Sequence, residues 1–309
     1  MNLFFFKNKE YYEDYYRKTQ GFYPFFLNCP KKYYSHFLKR RYFDMLGMYP
    51  DLENPTTLNE KMRWLLYNEQ VDLHEKLTDK IQVKDWCTSK IGKNHISEIY
   101  GIWKHFDDIN FEELPDKFAL KVNHGCRMNL FIKNKKTFLE KHYKASKQKI
   151  EQWLKTNYYY FSLEPQYKNI KPLVFAEELR ETASNIVRDD MLIHCFNSEP
   201  LFIENFITEY NYNVIYNKNW EIQPFTIGNK EFRSDLSVPR PKNLDEMLEC
   251  AKILSKDFSY VRVDFANTDK KTILSEMTFS PCSAIIPFFP AEYDKKLGKL
   301  LHINRYSKC

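Results

Sequence analysis

Residues 261–281 read VRVDFANTDKKTILSEMTFSP. Val261, Val263 and Phe265 alternate with Arg262, Asp264 and Ala266; further on, Ile273, Ser275 and Met277 alternate with Leu274, Glu276 and Thr278. A period of two marks strands, and the polar run Asn267–Lys271 marks a turn, so this stretch is a β-hairpin. If Asp264 lies opposite Glu276, then Arg262 lies opposite Thr278, since both pairs sum to 540. Two carboxylates then share one face with Cβ atoms roughly 5 Å apart, and like charges directly opposite destabilise a ladder. A positive charge is expected between them. It is either Arg262 and nearby lysines neutralising a surface pair, or a divalent cation. Mg2+ favours one or two carboxylates completed by nucleotide phosphates.

Outward from the hairpin, Asn243 starts a helix with Glu246 at its third position and Leu244, Met247, Leu248, Ala251 and Leu254 along one face. Met191–Asn197 and Leu201–Asn205 pair around a turn at Ser198-Glu199-Pro200, and residues 208–241, weakly periodic, form a long excursion. LVFAEE, Leu173–Glu178, is an apolar strand that turns acidic at its end. Residues 137–157 are helical. DKFALKVN is a strand with Phe118, Leu120 and Val122 on one face and Ala119, Lys121 and Asn123 on the other; the loop NHGCRMN and the strand LFIK follow. Thr57–Glu60 is a capping box opening a helix with Leu58, Met62, Leu65 and Leu66 in one stripe. A second helix runs from about Asp79 to Lys90 and stops at Gly92, and AEYDKKLGKLL is the last helix. Helices come early and hairpins late, which gives an α+β class.

The chain has 309 residues, 43% hydrophobic and 28% charged, enough for a core and two or three subdomains. Of the net charge of +6, residues 1–50 contribute +5, from nine Lys/Arg against four Asp/Glu. The remainder is near neutral, which argues against a nucleic-acid binder with a broad basic face. The same 50 residues hold 17 of the 52 aromatics. They either pack onto the body or make a peripheral membrane contact, basic and aromatic together. No apolar run approaches the roughly 18 residues that span a bilayer. Seven cysteines without CxxC spacing read as reduced thiols of a cytoplasmic protein, at most at the inner face of the membrane, and not as a zinc site.

Only seven glycines are present, and neither Walker-type nor Rossmann signatures occur. Lys121 followed by NHGCRMN is the candidate phosphate site. A lysine leaves the strand there, and a loop holding Gly125 can turn backbone N–H groups toward an anion. The plain alternative is a snorkelling lysine at a strand end. His124 is a loop histidine that is either structural or a base, and His194 lies inside an apolar strand. Glu177–Glu178 is either a solvated strand end or a hinge whose backbone edge meets adenine.

Together these pieces resemble the TupA-like ATP-grasp family of surface-polysaccharide biosynthesis, whose members are often labelled glycosyltransferases. The matching stretches run in order from about Leu58 to Leu301 and include LNEKMRWL, LTDK, KFALK, NHG, NYYY, YKNIKP, AEE, HCFN, PKNLDEML, VRVD and TFSP. The resemblance implies an ATP-grasp-like fold: a basic aromatic segment 1–55, a helical part 56–115, and two subdomains, 116–176 and 177–309, around a nucleotide cleft. It implies an ATP- and Mg2+-dependent ligase that activates a carboxylate as an acyl phosphate for attack by an amine, on a saccharide or uronic-acid acceptor. Carried over by position, Lys121, Asn123, His124 and Gly125 hold the nucleotide phosphates, Glu177 and Glu178 form the hinge at adenine and ribose, and Asp264 and Glu276 hold Mg2+. Arg262 and Arg127 are the candidate catalytic cations. The family loop reads NHGSGGN where this chain has Cys126, Arg127 and Met128. Its second phosphate lysine is replaced by Leu192, its E-x-N by Thr278, and glycines after TF-x-P are missing. Arg127 is expected to replace the lost lysine charge. A glycosyltransferase on the same fold, or a non-catalytic remnant, are the competing functions.

Overall fold

The computed structural model describes residues 23–180, 190–207, 209–267 and 271–303. Four strands, β1 Ile99–Trp103, β2 Phe118–Val122, β3 Asn129–Ile132 and β4 Val174–Glu178, form an antiparallel sheet in the order β1-β4-β2-β3. A second antiparallel sheet is built from β5 Asp190–Phe196, β6 Glu199–Ile207, β7 Tyr212–Asn217, β9 Tyr260–Asn267 and β10 Thr272–Thr278, in the order β10-β9-β5-β6-β7. Between β7 and β9 lies the short β8 Thr226–Ile227, which pairs with β11 Phe288–Phe289. β1 lies within 56–115, so that segment contributes a strand to the first sheet as well as helices.

The hairpin has the expected register, with Asp264 opposite Glu276 and Arg262 opposite Thr278. Beyond it the ladder slips, and Leu274 faces Phe265 and Ile273 faces Ala266. Ser275 is the extra residue of a β-bulge, which locally disrupts the strict alternation along β10. Leu274 is therefore buried although Glu276, two positions on, lines a cleft. Val261, Val263 and Phe265 are fully buried and belong to the same core as Leu244, Met247, Ala251 and Leu254 of the Leu244–Ser255 helix. Asn243 sits at the N-cap but does not cap it: its amide donates to Thr272 Oγ1 (3.1 Å), and the Thr272 hydroxyl also donates to Glu246. Those two residues tie the helix to β10.

The β5–β6 turn is Asn197-Ser198, one step before the expected position, and Glu199 already pairs with Phe196. Both turn residues have positive φ, 50° and 70°, as a two-residue turn matched to strand twist requires. Residues 208–241 are not wholly irregular: Tyr212–Asn217 completes the edge of the second sheet.

The Thr57 capping box is present, with Thr57 Oγ1 accepting from the Glu60 N–H (3.2 Å) and Glu60 accepting from the Thr57 N–H (3.0 Å). Leu58–Asn68 buries Leu58, Met62, Leu65 and Leu66, and Gln82–Ile91 ends at Gly92 as expected. A helix at Val71–Thr78 lies between them. Asn59 holds Ile286 through two hydrogen bonds, 2.9 and 2.6 Å, and Lys61 Nζ donates to the carbonyls of Gly298 and Leu301. One helix near the start thus fastens the end of the described chain. Of the N-terminal aromatics, Phe25, Phe26 and Phe37 form a small core with Leu163, against which Tyr159 and Tyr160 pack. Residues 1–22, where the other aromatics of that segment lie, fall outside the described residues. Among the described residues no helix is long and apolar enough to cross a membrane.

Candidate functional site

A cleft of about 750 Å3 runs between the two sheets. Strand alternation decides which side chains line it. Phe118, Leu120, Val122, Ile132, Val174 and Ala176 point into the core of the first sheet. Ala119 and Lys121 of β2, Asn129 and Phe131 of β3, and Phe175 and Glu177 of β4 point into the cleft. Lys121 lies between Asn129 and Phe175, and Ala119 between Phe131 and Glu177. Asp190, Ala266, Ser275 and Glu276 face them from the second sheet. In all, seven cationic side chains line the cleft against four carboxylates. Such a wall attracts an anion.

Glu177 organises the cations. Its side chain is 3% exposed, with Lys121 Nζ at 2.5 Å, Lys84 Nζ at 2.8 Å and Arg180 Nη2 at 3.9 Å. Burial alone raises its pKa, but Lys121, Lys84 and Arg180 outweigh that and hold it at about 2. Arg180 also donates to Ser97 (3.0 Å) and to Ser275 across the cleft. Glu178 is exposed at the cleft rim, and its N–H donates to Glu98 O (2.9 Å).

The NHGCRMN loop is placed by Asn123. This amide is fully buried, donates to Asp79 Oδ2 (3.0 Å) and Lys171 O (3.1 Å), and accepts from the Leu173 N–H (2.8 Å). Its carbonyl accepts from the Lys80 N–H (3.1 Å). Asp79 accepts in turn from the N–H groups of Ile81 (2.9 Å) and Gln82 (3.3 Å) at the start of the Gln82–Ile91 helix. This joint brings Lys80 and Lys84 to the cleft. His124 is also buried, its Nε2 within 3.1 Å of Trp153 O and 3.0 Å of Thr156 O, and burial lowers its pKa. Asn123, His124 and Gly125 are not among the cleft-lining residues; Cys126, Arg127 and Met128 are. A Cβ on Gly125 would lie 2.5 Å from Met128 Sδ, so Met128 folds over that glycine. Arg127 has φ +59°, a conformation that favours glycine.

At the hairpin the positive charge between the carboxylates is Arg262. Its Nε and Nη2 donate to both oxygens of Asp264, at 2.7 and 2.6 Å, and Nη2 lies 3.6 Å from Glu276 and 3.3 Å from Thr278 Oγ1. Lys80 Nζ is 3.7 Å from the other Glu276 oxygen. Asp264 is 1% exposed. Burial pushes its carboxyl up and Arg262 opposes the shift. At Glu276 desolvation is outweighed by Lys80 and Arg262, which lower its pKa. Leu192 lies between Asp264 and Glu204 in the same row of the second sheet. Asp264 and Glu276 are hard donors on adjacent strands, but Arg262 holds both Asp264 oxygens, and of these three residues only Glu276 lines the cleft, so a cation could be held only where the guanidinium gave up that pair. Among the described residues no three or more His, Cys, Asp or Glu side chains form a metal cluster. Phosphate oxygens and water would therefore complete the shell.

His194 lies at the sheet interior, stacked on Phe202 (4.1 Å) and bonded to Tyr260 Oη (2.9 Å). Beyond β10, Cys282, Ser283 and Ala284 all have positive φ, 52°, 58° and 54°. Arg63 Nη2 holds this turn through Ser283 O (3.0 Å). Lys80, Lys84 and Arg180 were not singled out from the sequence. LTDK was the available signal, since its aspartate makes the joint and its lysine lines the cleft.

The model of a family described as TupA-like ATPgrasp matches residues 60–302. No curated protein matches the chain. Among solved structures the chain is similar to a D-alanine–D-alanine ligase from Bacillus anthracis complexed with ATP, at 14% identity and a TM-score of 0.39, covering 73% of this chain and 63% of that one. It is also similar to the D-cycloserine synthetase DcsG, at 10% identity and a TM-score of 0.39, covering 87% and 95%. A third is the ATP-grasp ligase PsnB complexed with minimal precursor, at 12% and 0.40, covering 76% and 62%. The chain thus spans less than two thirds of the length of the first and third.

Proposed function

The chain belongs to the TupA-like ATP-grasp family, and on that premise we propose that it is an ATP- and Mg2+-dependent carboxylate–amine ligase acting on a cell-surface polysaccharide or its precursor. The observation that carries this reading is the cleft between the two sheets, where Lys121, Lys84 and Arg180 converge on one buried glutamate. The floor would take ATP with its base at the Glu178–Arg180 end and its phosphates toward Lys121. Lys121, Lys84 and Lys80 offset the phosphate charge. Glu177 keeps the first two in place and is itself held ionised. Asp264 and Glu276 would hold Mg2+ once Arg262 released Asp264, and the ion would supply neutralisation of the charge that develops on the transferred phosphoryl group. An acceptor carboxylate oxygen attacks the γ-phosphorus and ADP leaves. The amine nitrogen then attacks the acyl carbon, loses a proton, and inorganic phosphate departs with its bonding pair. Arg262, beside both metal carboxylates, offers a charge to the anion formed in that exchange. The basic and aromatic character of residues 1–50 suits contact with an anionic membrane surface on the cytoplasmic side.

The test is a thermal-shift panel of ATP, UDP-sugars and CMP-sugars, each with and without Mg2+. A ligand that binds only the native state raises its stability by mass action. Stabilisation by ATP with Mg2+ supports the ligase. Stabilisation by a sugar nucleotide alone transfers the site to a glycosyltransferase, and no response to any of them leaves a remnant without a nucleotide.

A further inference from the structure

Most cleft cations already have a partner. Lys121, Lys84 and Arg180 share Glu177, Lys80 faces Glu276, and Lys117 has an interaction of its own. Arg127 and Lys133 line the cleft, are exposed, and have no hydrogen bond or ion pair among the described residues; of the two only Arg127 also sits in a strained backbone within the loop beside Lys121. Its backbone sits at φ +59°, where a residue with a Cβ costs on the order of 1 kcal/mol over glycine. The loop is short and braced. The Val122 N–H donates to Met128 O (3.1 Å), Asn123 fixes its start, and Met128 packs over Gly125. Positive φ in a non-glycine residue at a cleft wall is the kind of strain that surrounding structure must hold in place.

Position along the floor decides what this guanidinium meets. Lys117 and Leu179 mark the end beside Glu178, and Lys121 marks the end beside the loop. From Lys117, one residue before β2, to Lys121 within it, four residue steps span at most roughly 13 Å, about the extended reach from a nucleobase to the end of its phosphate chain. We propose that Arg127 binds the terminal phosphate of the nucleotide, its planar fork reaching two oxygens at once. The proposal rests on the nucleotide lying with its base at the Glu178 end.

The test compares the parent with Arg127→Gly, Arg127→Ala and Arg127→Lys by isothermal titration with ATP, ADP and AMP in Mg2+. Arg127→Gly is the informative variant, because glycine is at ease at this φ and the fold is retained or gains in melting temperature. Expected is a loss of tenfold or more in ATP affinity for Arg127→Gly and Arg127→Ala, partial retention in Arg127→Lys, and unchanged AMP binding. Arg127→Gly binding ATP within twofold of the parent overturns the proposal, as does an equal loss for AMP. If the parent ignores ATP but binds a UDP-sugar, the ligase reading fails, and Arg127 is judged by the same twofold limit on that diphosphate. A parent that binds neither sinks both.

Discussion

Glu177 is a buried carboxylate whose value depends on three cations from three segments, Lys84, Lys121 and Arg180. Its folded pKa is about 2, below the ordinary 4.5. A depressed pKa means that its stabilisation is complete above pH 4.5 and is lost as pH falls toward 2, on the order of 3 kcal/mol in all. Glu177→Gln removes this and leaves the cations close together without their counter-charge, at a cost of roughly 3 kcal/mol at neutral pH. Urea melts at pH 7 and at pH 3 check both parts, and the gap between parent and variant should narrow at the lower pH. A constant gap means the ion cluster is not what Glu177 supplies. The hairpin carboxylates give a second expectation. Asp264→Asn and Glu276→Gln, nearly constant in volume, should each abolish Mg2+-dependent nucleotide binding while the protein stays folded by circular dichroism. If binding persists and stability rises slightly, Arg262 neutralises the pair and no metal does. A period of two puts Asp264 and Glu276 each on one face of its strand, but their lying directly opposite is a matter of register, which the pairing of the two strands supplies. Arg262 as the bridging group could be named only as an alternative, because side-chain direction within a row depends on a rotamer that no pattern encodes. The burial of Asn123 and His124 was hidden for a similar reason: both follow directly after a strand whose alternation no longer applies.

A close backbone approach decides one position near the end of the described chain, and backbone strain decides another. In the Glu292–Leu300 helix, a Cβ on Gly298 would lie 2.3 Å from Thr56 O and 2.6 Å from Thr57 C. Backbone cannot give way there as a side chain can. Gly298→Ala should lower stability by about 1–3 kcal/mol, seen as an earlier urea midpoint. An unchanged midpoint would mean that the helix is free to lift off the capping box. The opposite outcome is expected at the turn after β10, where exposed Cys282 has φ 52°. Cys282→Gly relieves a left-handed residue without losing a buried side chain, and the net gain should be about 1 kcal/mol, visible as a raised melting temperature. A fall there would show that the Cys282 side chain holds the turn. Helices with a capping box or a glycine stop could be placed from local chemistry, as Leu58–Asn68 and Gln82–Ile91 were. Tyr212–Asn217 could not, because an edge strand is defined by the neighbour it pairs with, here β6. The Ser275 bulge is likewise a property of two strands together, and a single run of residues does not encode it.

Charge is distributed unevenly over the molecule. Residues 1–50 carry +5 of the net +6. Within the described part of that segment Leu27, Met45, Met48 and Tyr49 are 44–56% exposed, and Lys31, Lys32 and Lys39 are exposed. Phe25, Phe26 and Phe37 are turned inward onto Leu163, so packing and surface contact are divided between different residues of one segment. Exposed apolar side chains among lysines suit an interface in which the apolar groups enter the headgroup layer and the cations meet anionic lipid. Each lysine near such a surface contributes about 1 kcal/mol. Reversing Lys31, Lys32 and Lys39 to glutamate should therefore weaken binding to vesicles containing phosphatidylserine by more than a hundredfold, while nucleotide binding in the cleft, which none of the three lines, is unchanged. The parent should float with these vesicles at low salt and be released as salt rises toward 1 M, where screening shortens the reach of charge to about 3 Å. Binding equally well to uncharged vesicles, or no flotation at low salt, would exclude the basic face as a membrane contact and leave the aromatic segment with a packing role alone.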